Sequence, residues 1–522
     1  MARLSRRELL ADVGTGMVVA GLGASVAADL GFRTAWADDG PERITFGDLE
    51  PLVAFLQTTP PDQVLQKTVE KLRSGTDLKQ IVTAASLANT RAFGGEDYIG
   101  FHTLMALPPA YHMATEESQP ERQPLAVLKV LYRNSERLAQ RGASAPDTLR
   151  PIAPKSPDSD QPIGVQLRDT VRKTDLAAAE QTFAAACQVS PASALDALMT
   201  MVDDATEVHR IVLVSRAWEL LDYVGKERAH TLLRQSVRYC VKAEKAPYTL
   251  KHSAEVRTLL PKLVDRHRLL GPLPSSKPAD DVRVASLSDS IFRASPSQAA
   301  EIAAAAIAEG LSLDALGEAI CLAANQLILR DEGRPKSQAQ GNKPVGSVHG
   351  DSIGVHACDS ANAWRKLSQV GDQRTRVTCL VLGAYQVAQD RQERGGDFLN
   401  WEPYPRVEHL EAVKSVPTDA LMKELDGAIR EKNQPRSAAL VRRLGLEKTP
   451  AANVYAILRG FAISEDGALH AEKFYRTTTE EFAASRPVFR WRQLEALARV
   501  TASEYGQPAP GYKDACKLLK LS

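Results

Sequence analysis

The stretch Asp351-Ser-Ile-Gly-Val-His-Ala-Cys-Asp-Ser-Ala-Asn-Ala-Trp-Arg-Lys-Leu-Ser-Gln-Val-Gly371 indicates how the whole chain is organised. It opens with an acidic residue, and a histidine follows five positions later behind an apolar residue. The same opening occurs in segments 97–102, 204–209 and 465–470. The end of the stretch also aligns with Ala217-Trp-Glu-Leu-Leu-Asp-Tyr-Val-Gly225. Recurrence at this spacing is typical of a chain made of related segments.

The composition favours helices throughout these segments. Hydrophobic residues make up 44% of the 522 residues, aromatic residues only 6%, and alanine occurs in long runs. Alanine, leucine, glutamate and arginine are good helix formers. We therefore predict an all-α protein of four tandem related helical units, packed as a pseudo-symmetric helical array or toroid. Each unit has the order helix, helix, His-bearing helix, helix. We call these units repeats 1 to 4, and they cover residues 38–145, 168–270, 284–400 and 418–522.

The charge balance excludes one broad class of function. The chain has 65 Lys and Arg residues against 64 Asp and Glu residues. A nucleic-acid-binding protein shows a basic face, and this chain has no excess of positive charge with which to form one. We therefore expect no nucleic-acid partner.

The N-terminus has the features of an export signal. Ser5-Arg6-Arg7-Glu8-Leu9-Leu10 resembles a bacterial twin-arginine motif, and Ala35-Trp36-Ala37 forms an A-x-A cleavage site. An uncleaved membrane anchor is the alternative, but Asp12, Asp29 and several glycines interrupt the apolar run. We predict that residues 1–37 are a signal peptide. The twin-arginine translocase would then be a partner, and the mature protein would be periplasmic or secreted.

Glycine and proline residues mark the expected helix boundaries. Gly94-Gly95 and Gly310 should end helices, and Ser190-Pro191 should start one. Pro108-Pro109 should kink or end the helix that carries His102. Residues 142–161 and 271–281 are rich in proline and polar residues, which predicts linkers.

The acid that precedes each repeated histidine has a simple structural interpretation. Five residues turn a helix by about 500°, so the acid and the histidine do not share a helix face. The acid would instead cap the helix start, and the histidine would lie in the first or second turn. Glutamate caps poorly, which weakens this interpretation in repeat 4. The acids are Asp97, Asp204, Asp351 and Glu465.

A functional interpretation of the histidines is that they converge on one centre. Imidazoles of equivalent helices could bind a transition metal, as inward side chains do in helical bundles. The ion would be Fe, Cu or Zn, and a nearby carboxylate could bind it directly or support a ligand. His112 would lie close by. The predicted metal site comprises His102, His209, His349, His356, His470 and Asp351.

Repeat 3 is the densest in reactive side chains. Cys358 and Asp359 lie near its histidines, and Gly350 and Gly354 would let the backbone approach a neighbour closely. An ordinary glycine-rich helix entrance explains the same residues. Other cysteines lie within apolar helical patterns, which predicts buried thiols. These are Cys187, Cys240, Cys321 and Cys379.

Two function classes remain open from sequence. One is an exported enzyme that depends on a metal or cofactor and acts on a small-molecule substrate. Of the possible enzyme classes, we favour an oxidoreductase. The other is a non-catalytic helical-repeat protein that binds a partner or ligand. The chain lacks G-x-S-x-G, Walker, H-E-x-x-H and C-x-x-C motifs, so those chemistries have no support.

Overall fold

A computed structural model describes residues 43–141, 148–155, 160–341, 343–348, 352–393 and 395–521. Within these ranges the backbone forms α-helices, three short 3₁₀ turns and isolated β-bridges, without a β-strand. The all-α prediction is confirmed. No helix found in the same ranges is long and apolar enough to cross a membrane. The predicted signal peptide, His349 and Asp351 lie outside the described residues.

Eleven helices of the described residues precede the linker at 271–281. They are α1 (Glu50–Thr58), α2 (Pro61–Arg73), α3 (Leu78–Phe93), α4 (Tyr98–Thr115), α5 (Leu125–Arg141), α6 (Ile163–Arg172), α7 (Leu176–Val189), α8 (Pro191–Val202), α9 (Val208–Val224), α10 (Ala229–Ala243) and α11 (Pro247–Arg266).

Twelve further helices lie in the described part of the chain from Asp281 onwards. They are α12 (Asp281–Arg293), α13 (Pro296–Ala308), α14 (Leu313–Arg330), α15 (Ile353–Val370), α16 (Gln373–Glu393), α17 (Val407–Glu411), α18 (Thr418–Arg430), α19 (Gln434–Leu446), α20 (Ala451–Ser464), α21 (His470–Ala484), α22 (Trp491–Glu504) and α23 (Tyr512–Leu518).

Local signals set several helix ends as predicted. The Ser190 hydroxyl caps α8 by accepting from the backbone N–H of Ser193, and Pro191 is the first helical residue. Gly94 ends α3 in the left-handed conformation, with φ of 54°. Gly310 follows α13 with φ of 84°.

The Pro108-Pro109 pair does not end its helix, so that form of the prediction is wrong. Helix α4 continues to Thr115. Each proline removes one backbone N–H from the helix. Residues 103–110 are all buried, however, so tertiary packing holds the helix through the pair.

The described residues divide into two compact bodies. The first body contains the described residues up to Pro108, together with Leu131–Asp204 and Leu213–His252. The second body contains Pro109–Val130, Ala205–Val212 and the described residues from Ser253 onwards. The division falls inside α4, α5, α9 and α11, so each of these helices contributes residues to both bodies.

The first body is built from helices that pack against their neighbours. Helix α3 packs against α1 and α10, while α6, α7 and α8 pack against one another. A buried arginine joins two of these elements: Arg234 of α10 donates to Glu180 of α7 at 2.7 Å and to the carbonyl of Arg150 at 2.6 Å.

The second body contains two groups of helices. In one group α16 packs against α13, α14 and α15; in the other, α22 packs against α19, α20 and α21. Contacts of α15 with α21 and of α14 with α22 join the groups. Helices α15 and α21 each carry one of the repeated histidines in the first turn.

Candidate functional site: a histidine cluster

His356 and His470 meet in the second body. His356 lies in the first turn of α15, and His470 is the first residue of α21. Their Nε2 atoms are 3.2 Å apart, and their ring centroids are 5.3 Å apart. Both side chains are buried, at 8% and 5% exposure. Two imidazole nitrogens at this separation either share one proton or face a common cation.

His209 is the third member of the cluster. It is the second residue of α9, in the segment Ala205–Val212 that belongs to the second body. Its ring centroid lies 6.1 Å from that of His356. Thr206 donates to Gln389 of α16 at 2.5 Å, which fixes the chain just before His209. The structure therefore brings together three of the predicted site residues.

Hydrogen bonds at Nδ1 orient two of these rings. His209 Nδ1 lies 2.7 Å from Glu207 Oε1, and His470 Nδ1 lies 3.1 Å from the Ala468 carbonyl oxygen. A neutral imidazole that donates from Nδ1 carries its lone pair on Nε2. Both rings then present Nε2 as an acceptor or ligand, which is the orientation found in metal-bound histidines.

The turn before His470 is unusual in its backbone. Ala468 and Leu469 have φ of 50° and 66°, in the region that side chains rarely adopt. The turn is held by Lys129, which donates to the carbonyls of Ala462 at 2.8 Å and Glu465 at 2.7 Å. Lys129 also pairs with Glu472 at 2.7 Å. This buried support was not foreseen from sequence.

His102 belongs to the first body. It is 3% exposed, and its Nδ1 lies 2.7 Å from the Tyr98 carbonyl oxygen. Its ring lies against those of Tyr98 and Phe101, with centroids 4.3 and 4.9 Å away. Its contacts there are those of a packed core histidine. His112 belongs to the second body and pairs with Glu116 at 2.9 Å.

The capping interpretation is confirmed at Asp97. Its Oδ1 accepts the Gly100 N–H at 2.8 Å, and Arg137 binds both carboxylate oxygens at 2.7 and 2.5 Å. Burial would raise the pKa of Asp97, but the bonds from Arg137 and Gly100 lower it overall. All four repeated histidines lie in the first two turns of their helices, as predicted.

Asp204 and Glu465 bond to other partners, so the capping interpretation is not confirmed for them, and Asp351 lies outside the described residues. Asp204 lies four residues before α9 and is bound by Arg172 at 2.5 and 2.6 Å, while Glu207 accepts the Arg210 N–H instead. Glu465 accepts the Gln507 N–H at 2.8 Å, away from the start of α21. In repeat 3 the cap is Ser352, which accepts the Val355 N–H.

A row of buried polar contacts follows the histidine pair along α15 and α21, and we call it the polar seam. Thr477 donates to Asp359 at 2.7 Å. Glu481 accepts from Asn362 at 2.9 Å and from Arg365 at 2.7 Å. Burial alone would lower the pKa of Arg365, but the Glu481 carboxylate raises it, so the guanidinium stays charged. The seam fixes the register of the two helices.

The cysteines are packing residues. Cys187, Cys240, Cys321 and Cys379 are buried, as predicted. Cys358 is buried as well, and burial raises the pKa of its thiol well above the ordinary value. In the absence of a metal ion, a thiol in that state is protonated at neutral pH and is a poor nucleophile.

A cavity of about 550 Å³ lies at the far end of the polar seam. The charged groups in its lining already pair with one another. Glu480 Oε1 is contacted by Lys366 at 2.5 Å and Arg476 at 2.8 Å, and Arg365 binds Glu481. The cavity therefore has no surplus charge with which to select an ion.

Among the residues that the structure describes, no three or more His, Cys, Asp or Glu side chains are arranged to hold a metal ion. His349 and Asp351 are outside that search, so the metal site stays a prediction. Comparison with known proteins adds no assignment: no family model, curated protein or solved structure matches this chain significantly.

Proposed function

We propose that this chain is a metal-dependent enzyme with a centre formed around His209, His356 and His470, and that its reaction is an oxidation or reduction of a small molecule. The observation that carries the proposal is the 3.2 Å separation of the His356 and His470 Nε2 atoms. Nitrogen ligands of one metal ion lie about 3–4 Å apart, given bonds of about 2.0–2.1 Å.

The surroundings of the pair support the proposal. Glu207 and the Ala468 carbonyl occupy the Nδ1 sides of His209 and His470. Such partners fix the tautomer and raise the basicity of a ligating imidazole. Imidazole nitrogens are donors suited to Fe, Cu or Zn.

A complete site needs a third ligand at bonding distance. His209 lies with its ring centroid 6.1 Å from that of His356, so it would have to move closer. The predicted ligands His349 and Asp351 immediately precede α15 in sequence. A third ligand from His209, or from His349 or Asp351, would complete the centre. A coordination position would then stay open for substrate, as in catalytic sites.

The order of helices supports four related repeats. Helices α1–α5, α6–α10, α12–α16 and α18–α22 each form a set of five, one more than we predicted. The repeated histidine lies on the fourth helix of every set. In three sets the second helix packs against the fifth. We propose that the sets arose by duplication, which would explain the recurring histidine; their arrangement as an array or toroid stays a prediction.

Metal analysis of the purified mature protein tests the metal centre. We expect about one equivalent of Fe, Cu or Zn, and loss of that metal in His356→Ala and in His470→Ala. His267→Ala is the matched control, because His267 is in the second body and pairs with Glu301. Wild-type protein without metal, after growth in supplemented medium, would refute the proposal.

The redox part is tested separately. If the metal is redox-active, the absorption or paramagnetic resonance spectrum of the protein should change on reduction with dithionite and return to its original form in air. If the bound metal is zinc, the proposal of a metal-dependent enzyme still holds, but the proposal of an oxidoreductase is refuted, because zinc is not redox-active. If no metal binds, His356→Ala should only lower stability, by about 1–3 kcal/mol. That outcome favours the alternative, a non-catalytic helical-repeat protein.

Export is part of the same proposal, since a twin-arginine signal carries folded cargo. Its support is Arg6-Arg7 with the A-x-A site that ends at Ala37. Changing both arginines to lysine should leave precursor in the cytoplasm. Normal delivery of that variant to the periplasm would refute export by this route.

A further inference from the structure

A second cavity lies in the second body where α15 begins. Its volume is about 400 Å³, within the range of small-molecule sites. The lining comes from the chain after α14, from the first turn of α15 and from the chain after α16. The lining residues on which the argument rests are Asp331, Ser347, Ser352, Ile353, Phe398 and Trp401.

One wall of the cavity is aromatic. The rings of Phe398 and Trp401 lie edge to face, with centroids 4.9 Å apart. Phe398 is buried, while Trp401 keeps part of its surface open. A Cβ added at Gly396 would lie 2.5 Å from the Phe398 ring and 2.7 Å from the Trp401 ring. Only glycine at this position lets the two rings pack so closely against the backbone.

Helix α14 holds that wall in place. Arg330 donates to the Trp401 carbonyl at 2.5 Å, and the Tyr404 N–H donates to the Leu329 carbonyl at 2.6 Å. Arg330 also lies over the Phe292 ring at 5.3 Å. The indole is therefore presented by a fixed segment and not by a loose loop.

Two other lining residues carry hydrogen-bonding side chains. The Asp331 carboxyl accepts the Gly333 N–H at 2.8 Å and is 9% exposed, and burial raises its pKa. The Ser347 hydroxyl is buried, and it has no hydrogen-bond partner among the described residues. A buried hydroxyl without a partner costs free energy, so such a group in a cavity indicates a missing ligand or water.

The backbone around these two groups is well fixed. The Arg334 N–H donates to the Ser347 carbonyl at 3.1 Å, and the Gly346 N–H donates to the Arg334 carbonyl at 2.9 Å. Gln434 donates to the Gly346 carbonyl at 2.8 Å. The Ser347 main chain is thus held beside the cavity by pairing that a ligand does not have to create.

The lining charges favour a neutral ligand. Asp331 and Glu332 are acidic, and Arg334 is the one basic residue in the described lining. Glu332 is already bound by Arg406 and by the Tyr404 hydroxyl. A carboxylate or phosphate would find no unmatched positive charge here, whereas a hydroxyl group would find two oxygen partners.

The cavity reaches the start of the histidine-bearing helix. Ser352 and Ile353 line it, and they lie four and three residues before His356 on one face of α15. The His356 N–H donates to the Ser352 carbonyl at 3.2 Å, which is the first helical turn itself. The cavity and the histidine cluster are therefore about one helical turn apart on the same helix.

We infer that this cavity binds a small hydroxylated aromatic compound, with its ring against Trp401 and Phe398 and its hydroxyl between Asp331 and Ser347. The binding site is assigned on its own contacts. If the protein is the enzyme proposed above, this cavity is its substrate site, and that role alone rests on the proposed function.

Ligand titration of the mature protein, followed by saturation-transfer NMR, tests the inference. The probes are p-cresol, toluene, which lacks the hydroxyl, and benzoate, which carries a charge. We expect p-cresol to bind at least tenfold more tightly than either. Equal binding of toluene would overturn the role of the hydroxyl, and preferred binding of benzoate would overturn the neutral class.

Variants locate the binding. Trp401→Leu should weaken p-cresol binding at least tenfold, while Trp218→Leu, at a tryptophan in the first body, should not change it. Ser347→Ala should weaken p-cresol binding severalfold and leave toluene binding unchanged. This smaller substitution is expected to fold, so it tests the site even if Trp401→Leu unfolds the protein. Unchanged p-cresol binding in both cavity variants would overturn the site.

The two proposals fail separately. His356→Ala should lose metal and still bind p-cresol, because His356 does not line the cavity. Metal content should in turn be the same in Ser347→Ala as in the wild type. If p-cresol binds to protein that holds no metal under any condition, the cavity stands and the proposed enzyme does not.

Discussion

Lys129 and Glu472 form an ion pair in the interior of the second body, with Nζ 2.7 Å from Oε1 and side-chain exposures of 2% and 0%. The same ammonium group donates to the carbonyls of Ala462 and Glu465, which precede α21. One lysine thus holds both the first turn of α21 and the chain that leads into it. His470 begins that helix, so its position depends on this lysine.

Replacing Lys129 by methionine should destabilise the protein by about 3–5 kcal/mol, because it leaves the Glu472 charge buried without its partner. Urea unfolding followed by circular dichroism measures this loss. Arg293→Met is the control, since its pair with Asp289 is exposed and should contribute about 0–1 kcal/mol. The double variant Lys129→Met with Glu472→Leu should recover part of the loss. A lysine variant as stable as the wild type would contradict the prediction.

Glu207 should tune the histidine cluster without being a ligand. Under the proposed function, Glu207→Gln removes the carboxylate from His209 Nδ1 and should weaken metal affinity about 10–100-fold. Competition with a chelator measures the change. Glu301→Gln is the control, because Glu301 contacts His267 in the same body, outside the cluster. Equal affinity in Glu207→Gln and wild type would show that His209 does not bind the ion.

Local sequence signals predicted where several helices start and end, but they did not predict that α4 continues through Pro108-Pro109. Ser190 and Gly94 act within one turn of their own position, so their effect is readable from neighbouring residues. Pro108 and Pro109 also act locally, but the burial of the surrounding helix outweighs the hydrogen bonds that they remove. That burial depends on contacts distant in sequence. Periodicity therefore gave the helical class, while tertiary packing decided which helices run on.

The recurrence of the histidines identified three residues that meet, and it gave no information on what surrounds them. Repetition marks equivalent positions, so His209, His356 and His470 could be singled out together. Lys129 and Glu472 belong to no repeated pattern and lie far apart in sequence, so only the folded chain brings their side chains into contact. The capping interpretation reached Asp97 but not Asp204 for a related reason: Asp204 binds Arg172, a partner that no local pattern specifies.

Gly354 shows a close approach that was foreseen from the glycine itself. A Cβ added there would lie 2.7 Å from Ile328 Cδ1 and 2.8 Å from the Ile328 backbone nitrogen. Gly354→Ala should push α15 from α14 and destabilise the protein by about 1–3 kcal/mol. Under the proposed function it should also weaken metal binding, because His356 lies two residues further along.

Gly427 provides the matched control for that substitution. It lies inside α18, and a Cβ added there meets nothing within 4 Å. Gly427→Ala should therefore stabilise the protein by about 0.5–1 kcal/mol through its better helix propensity. Thermal unfolding of the two variants side by side gives the comparison. Stabilisation by both alanines would mean that α14 and α15 are not in close contact at Gly354.

Asp97 should make the stability of the first body depend on pH. Its folded-state pKa lies below the ordinary value of 3.8, since the bonds from Arg137 and Gly100 outweigh burial. A carboxyl whose pKa is lowered by folding stabilises the protein above its ordinary pKa. That stabilisation is lost as the pH falls through the folded-state pKa. Asp97→Asn keeps an oxygen for the Gly100 N–H and removes the charge that binds Arg137.

At pH 7 we expect Asp97→Asn to lose about 1.5–3 kcal/mol, the usual range for a hydrogen bond to a charged group. The difference from wild type should begin to shrink as the pH falls below about 4, where Asp97 of the unfolded chain takes up a proton, and it should disappear only below the lowered folded-state pKa. Asp175→Asn is the control: Asp175 caps α7 through the Ala178 N–H at an exposed site, and asparagine caps about as well. Urea unfolding between pH 3 and pH 7 measures all three proteins. A constant difference across that range would show that the charge on Asp97 does not stabilise the fold.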